Sequence, residues 1–395
     1  MPAQQPPHES SLSVTLQILS IVFYTFIAFI CIGLPIAVLP GYVHDQLGFS
    51  AVVAGLTIAS QYLATLLSRP SAGRIVDKHG TKPAVVYGLI GIAISGVLTS
   101  LAILLQDFPL LSLSTLIVAR VFLGVAQGLI GVGTISWGIA QVGSHHTART
   151  IGWNGIASYG AIALGAPLGV LMIDRLGFFS LGVALLGLAL LALLTIRNKR
   201  SIPIIVGVRL PFRSVLGLIA PYGISLTLAS IGYGTLTTFI TLFYIDRGWT
   251  GAAYCLSIFG VCFIVARLLF TNSINRFGGY TVAMTCMAME AVGLTLLWLA
   301  PSSAYALIGA GLAGFGLSLV YPALGVEAVK EVPSSSRGAG LGAYAVFFDL
   351  ALAIAGPVMG AIALNLGYPW IFFSAALLCV LGLLLTLGLS RRVSQ

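Results

Sequence analysis

Charge is what this sequence lacks most. It has 19 basic and 10 acidic residues in 395, or 7% charged, where a soluble domain carries about 25%. A soluble chain this poor in charge could not cover its own surface, and it is too apolar to stay disordered. That excludes a soluble enzyme and a nucleic-acid-binding domain. Cysteine is scarce too. Cys31, Cys255, Cys262, Cys286 and Cys379 lie in apolar runs at no metal-ligand spacing. They read as small buried hydrophobes rather than disulfide or zinc residues. There is no Walker A sequence, and the literal G-x-G-x-x-G at Gly309–Gly314 lies inside an apolar run with no strand before it. No cofactor, metal or nucleic acid is expected.

What is there is apolar. Hydrophobic residues make up 58% of the chain and the mean hydropathy is +1.05. Apolar runs fall at about 16–40, 52–72, 84–105, 111–141, 150–173, 177–196, 214–243, 252–271, 280–300, 304–325, 340–364 and 370–390. Each is long enough to cross a bilayer. In hydrocarbon every backbone amide must be paired within its own segment, so the runs are helices. The expected fold is an all-α membrane protein of twelve transmembrane helices.

The most polar stretch, Arg197 to Arg213, divides the chain into two halves of six helices. The expected division is 1–196, a basic linker at 197–214, and 215–395. The halves echo each other. Ser68-Arg69-Pro70 near the end of helix 2 answers to Ala266-Arg267-Leu268 in helix 8, 198 positions later. Gly165-Ala166-Pro167-Leu168-Gly169 in helix 5 answers to Gly356-Pro357-Val358-Met359-Gly360 in helix 11, 190 positions later. Two parallel six-helix repeats forming pseudo-symmetric bundles are the mark of a transporter with its site between them.

Basic residues orient the chain. If the N-terminus is inside, the inner loops and tail hold fourteen Lys and Arg residues and the outer loops only Arg175 and Arg247. That imbalance puts both termini in the cytoplasm.

The sharpest local motif is Gly73-Arg74-Ile75-Val76-Asp77-Lys78-His79-Gly80-Thr81-Lys82, between helices 2 and 3. Gly73 is expected to end the helix tightly and Gly80 to turn the chain back. Asp77 can dock on a helix N-terminus of the other half, whose amides and dipole favour an anion. The expected acceptor is the start of helix 11, at Ser334-Ser335-Ser336-Arg337-Gly338. Making and breaking that contact would close and open the cytoplasmic side. Gly73, Asp77, Lys78, Gly80, Lys82 and Arg337, with Arg69 and Arg267 at matched repeat positions, form the expected gate. Glu327, Lys330 and Glu331 are expected to form exposed pairs at the end of helix 10.

The Gly73–Lys82 stretch resembles the loop signature of the major facilitator superfamily at every specified position. Arg120-x-x-x-Gly124-x-x-Gln127-Gly128 resembles that family's helix 4 signature. Gly160 to Gly169 resembles the proline-glycine motif of its drug/proton antiporters. It departs from it at Ala166-Pro167, the usual Gly-Pro standing instead at Gly356-Pro357. Leu34–Asp45 and Ser68-Arg69-Pro70 resemble a bacterial inner-membrane branch described as arabinose-efflux-like. The resemblance covers the whole chain and implies a monomeric secondary transporter of the bacterial inner membrane.

Charges at membrane depth are the candidate chemistry. Arg120 costs roughly 2.5–3.5 kcal/mol to insert and should face the interior with a partner. It reads either as a pinning hydrogen bond to carbonyls or to Gln127, or as an anion anchor; the resemblance implies a regulator of a proton site. Asp349 sits in the apolar context Tyr344-Ala345-Val346-Phe347-Phe348. Such a wall suits a carboxyl to taking up and releasing a proton near neutral pH. Glu290 is a weaker coupling candidate, expected to face helix 8 or to snorkel.

A cavity also needs polar and aromatic atoms to orient a ligand. Candidates are Tyr24, Gln61, Tyr62, Gln127, Trp153, Asn154, Tyr159, Tyr233, Tyr321 and Tyr344. Tyr159 and Asp349 are repeat counterparts, expected on facing walls. The set points to a small amphiphilic organic substrate. The expected activity is proton-coupled efflux by alternating access, with proton-coupled uptake as the alternative and a membrane enzyme or sensor as a remote one. Asp77→Asn should leave expression intact and impair transport in vesicles; wild-type turnover would remove Asp77 from the gate.

Overall fold

The computed structural model describes residues 11–143, 146–199, 212–270, 272–332 and 337–393. Twelve long helices carry the described chain: α1 (Ser11–Ile36), α2 (Ala51–His79), α3 (Thr81–Leu104), α4 (Pro109–Val142), α5 (Thr147–Leu176), α6 (Phe179–Ile196), α7 (Phe212–Asp246), α8 (Ala253–Leu269), α9 (Gly279–Trp298), α10 (Ser303–Lys330), α11 (Arg337–Leu366) and α12 (Pro369–Val393). Eleven are long and apolar enough to cross a membrane, and α8, at 17 residues, is a shorter apolar helix. A three-residue helix (Leu39–Gly41) and a π-turn (Tyr42–Gln46) follow α1. A short helix (Ser273–Phe277) precedes α9. No strand occurs among the described residues.

The helix ends are chemically marked. Ser50 caps α2, its Oγ accepting from the Val53 amide at 3.5 Å. Gly80 ends the same helix at φ +95°, a conformation that a side chain disfavours. Gly73 therefore does not end α2 as the sequence suggested. The helix runs six residues further, because the charged turn Arg74–His79 lies beyond the apolar run and continues in helical register.

Packing repeats with a shift of six helices. In the first half α1 packs on α5, α2 on α4, and α3 on α4 and α6. In the second, α7 packs on α11, α8 on α10, and α9 on α10 and α12. The turns repeat too: Gly80 and Gly278, 198 positions apart, and Gly177 and Gly367, 190 apart, all take positive φ before the next helix. Large apolar side chains remain exposed on the outside, among them Leu67, Leu168, Leu171, Leu191, Leu194, Val261 and Leu384. A belt of that kind belongs against lipid.

The two halves meet along α2–α11 and α5–α8, pairs that exchange under the same shift. The contacts are tightest toward the face opposite the chain ends. A Cβ at Gly55 would lie 2.6 Å from the Gly356 carbonyl oxygen, and one at Gly260 would lie 2.6 Å from the Ala163 Cβ. Ser257 donates to the Ala163 carbonyl (2.7 Å), and Thr241 to the Ala37 carbonyl (2.5 Å). Small residues let the backbones approach closely, so α2–α11 and α5–α8 close on each other here, beside a cavity of about 330 Å³ lined by Ala37, Tyr42, Thr241 and Tyr244. Gly55→Leu should hold the two halves apart here. A cysteine placed at Ala59, buried against Gly356, should then react several-fold faster with an impermeant maleimide, and unchanged labelling would show that α2–α11 packing does not close this face.

Candidate functional site

The candidate site stands on an ion pair between the halves. Arg69 of α2 and Asp349 of α11 join side-on: the guanidinium Nε meets Oδ2, and Nη2 donates to Oδ1 at 3.0 Å. The Asp349 side chain is 2% exposed and that of Arg69 is 22%. Sequence reasoning singled out both residues but did not pair them. They lie 280 positions apart and in different halves, and no local pattern links them. Removing one partner of a buried pair costs about 3–5 kcal/mol, mostly from the charge left behind.

Arg267 holds the matching position in the second half but has different partners. Its Nη2 donates to the Ser318 carbonyl (2.6 Å), and its guanidinium lies over the Phe263 ring at 4.9 Å. It faces Gly155 of α5. Tyr159, the repeat counterpart of Asp349, stacks on Phe263 with ring centroids 3.6 Å apart. Thus Arg69 meets a carboxylate across the interface, and Arg267 meets an aromatic surface.

Aromatic side chains from both halves gather beside this pair. Tyr159 of α5 also packs on Tyr233 of α7 at 5.5 Å. Tyr233 stacks on Phe259 of α8 and Phe348 of α11. Tyr321 of α10 meets Phe348 and Tyr344, and the Tyr344 hydroxyl donates to the Tyr321 carbonyl (3.2 Å). Tyr62 of α2 lies against Thr237 of α7 and within electrostatic reach of both Arg120 and Asp349. Phe259, Phe263 and Phe348 were absent from the sequence-based set. Among so many apolar residues, no local signal separates a cluster-facing Phe from a lipid-facing one.

A polar network flanks the cluster in the first half. Arg120 is 1% exposed. Its Nη1 donates to Gln61 Oε1 (3.1 Å), and Gln61 Nε2 donates to Gln127 Oε1 (3.1 Å). Thr65 donates to the Gly124 carbonyl (3.0 Å) and to Gln127 Oε1 (3.4 Å). The expected contact between Arg120 and Gln127 is therefore relayed through Gln61.

Other expected site residues lie apart from this centre. Tyr24 stacks on Trp137, centroids 6.2 Å apart, in the α1–α4 packing. Asn154 accepts from Thr25 (2.7 Å), which also bonds Thr134 (2.9 Å). Trp153 packs with Val14, Ile18 and Val22 toward the start of α1. Glu290 neither snorkels nor faces α8. It is fully buried, its carboxyl against Gly232 of α7 and beside Cys379 of α12, because α9 packs on α10 and α12.

The expected gate resolves in part. Lys82 donates to the Arg197 and Lys199 carbonyls at 3.1 and 2.6 Å, so it ties α3 to the end of α6 within one half. Lys78 is exposed, and a Cβ at Gly73 would meet open space. Glu327 is buried rather than an exposed gate residue. It accepts from the Gly279 amide (3.1 Å) at the start of α9 and from Lys330 (2.7 Å). Glu331 accepts from the Tyr222 hydroxyl (3.1 Å). The side chains of Asp77 and Arg337, and residues 333–336, lie outside the described residues, and with them the expected docking contact. So does most of the linker, residues 200–211.

Comparison with known proteins gives one consistent result. The family model of the Major Facilitator Superfamily matches residues 21–278 and 224–394. An uncharacterized MFS-type transporter of Pseudomonas aeruginosa strain UCBPP-PA14 is 54% identical over 389 residues, 98% of this chain and 97% of the relative. One of Burkholderia mallei strain SAVP1 is 48% identical over 390 residues, 99% and 96%. Among solved structures, the D-xylose-proton symporter superposes with a TM-score of 0.76 at 15% identity, covering 93% of this chain and 97% of that one. The human organic anion transporter MFSD10 (TETRAN) superposes at 0.69 and 17% identity, covering 97% and 100%. At such identities the likeness is one of fold.

Arg69→Ala and Asp349→Asn should each lower stability by about 3 kcal/mol. The double variant should lose much less than the sum. Thermal unfolding in detergent reads the cycle, and strict additivity would mean that the pair carries no coupling.

Proposed function

Because the chain belongs to the Major Facilitator Superfamily, we propose that it exports a small amphiphilic organic compound in exchange for protons, with Asp349 as the proton site. It is a multi-pass membrane transporter and not an enzyme. The observation that carries the proposal is the Arg69–Asp349 bridge. Arg69 and a proton cannot both neutralise the same carboxylate. Protonation of Asp349 cancels the attraction to Arg69 and lets the first half (residues 1–196) move against the second (215–395). Loss of the proton re-forms the bridge. A proton at one buried position thus biases the rocking of two rigid bundles, which is what coupling by alternating access requires.

The remaining parts serve that cycle. Tight main-chain packing along α2–α11 and α5–α8 closes one face. The fourteen-to-two excess of basic residues supports a cytoplasmic placing of the opposite face and of both chain ends. Alternating access then binds cargo from inside. The aromatic side chains of Tyr62, Tyr159, Tyr233, Tyr321 and Phe348 offer an amphiphilic wall beside the proton site. The inner membrane of a bacterium is the matching location.

The test is purified protein in liposomes with an imposed pH gradient, screened with labelled compounds. Movement against the proton flux supports exchange, and movement with it would make the protein a symporter. Asp349→Asn should abolish gradient-driven accumulation and leave gradient-free exchange of labelled for unlabelled cargo. An unchanged pH dependence in that variant would remove Asp349 from the coupling role.

A further inference from the structure

The buried arginine of α4 has an unpartnered edge, and that edge specifies a chemistry. Arg120 is 1% exposed and spends only one side of its guanidinium, Nη1 on Gln61. Its Nε and Nη2 have no hydrogen-bond partner among the described residues. The N–H bonds of these two atoms run parallel and match the two oxygens of a carboxylate. The same protein uses that fork once already: Arg69 holds Asp349 through Nε and Nη2. The open fork of Arg120 is held in orientation, because Gln61 is itself fixed on Gln127.

Charge points the same way. Among the described residues of the α2–α11 interface and the flanking network, Arg69 and Arg120 supply two guanidiniums and Asp349 one carboxylate, which Arg69 consumes. A buried cation without a counter-charge is costly unless another group meets it. The next side chain on α2, Tyr62, leads from Arg120 to Thr237, which bonds the Tyr233 carbonyl at 3.0 Å. An apolar body attached to a carboxylate on Arg120 would therefore lie along Tyr62 toward the aromatic cluster.

We infer that the cargo is an organic monocarboxylate, whose carboxylate docks side-on on Nε and Nη2 of Arg120 while its apolar body lies against Tyr62 and the cluster around Tyr233. The inference rests on the transporter reading of this site and names its substrate class.

Three matched probes test it at one pH without a gradient: benzoate, benzyl alcohol and benzyltrimethylammonium. Each is titrated against the thermal unfolding midpoint of purified wild-type protein. Benzoate should raise the midpoint, and the neutral and cationic probes should not at equal concentration. Arg120→Gln should weaken benzoate binding by about tenfold or more, as expected for loss of a charge-assisted fork. Arg120→Lys, which keeps the charge but not the fork, should weaken it less and preserve the preference for the anion. Equal shifts for benzoate and benzyl alcohol, or benzoate binding undiminished in Arg120→Gln, would overturn the inference. If Arg120→Gln does not fold, the wild-type series and Arg120→Lys decide. No proton gradient enters the measurement, so a failure of Asp349→Asn to uncouple transport would overturn the coupling proposal and leave this result standing.

Discussion

Among the described residues, one ion pair links the two halves at depth. Arg69 and Asp349 come from helices that share no sequence neighbourhood, and their charges meet where water is scarce. The low local dielectric makes the attraction strong and makes either charge alone expensive. Main-chain packing around Gly55 and Gly356 brings the same two helices together by shape. The ion pair adds a contact whose strength depends on charge, and in the proposed cycle protonation of Asp349 releases it.

The membrane imposes the rest of the organisation. Backbone amides are paired inside helices, so side chains must provide every polar contact between them. The buried polar residues do this with short local devices. Thr65 ties α2 to α4, Thr25 joins α1 to α4 and α5, and Ser318 donates to the Phe263 carbonyl between α10 and α8. Each removes a donor from hydrocarbon while fixing a helix pair. Charges at depth are met unequally: Asp349 has its arginine, Arg120 has a glutamine on one side, and Glu290 is buried beside Cys379 with no hydrogen bond to either carboxyl oxygen from the described side chains.

Pseudo-symmetry explains where these groups sit, and its breaking explains what they can do. The helix pairs and glycine turns repeat between halves, and the two arginines near the ends of α2 and α8 occupy one position in the repeat. What each arginine meets does not repeat. Across one interface stands Asp349, and across the other Tyr159 on Phe263. A symmetric frame thus carries an ion pair at one interface and an aromatic stack at the other.

The all-helical membrane architecture, the twelve long helices and the two-fold repeat were legible in the residues alone. Hydrophobic length, glycine turns and the offsets of 198 and 190 positions are one-dimensional properties that a linear reading captures. The same holds for the depth of Arg120, Asp349 and Glu290, since position along a spanning helix is position in the membrane. Rotation of each helix is different, because nearly every face here is apolar and carries no signal of what it meets. The pairing of Arg69 with Asp349, the inward turn of Glu290 toward α7, the burial of Glu327 and the removal of Tyr24 and Trp153 from the centre all depend on that rotation. Only the packing of helix against helix decided them, by determining which side of each cylinder finds a partner and which finds lipid.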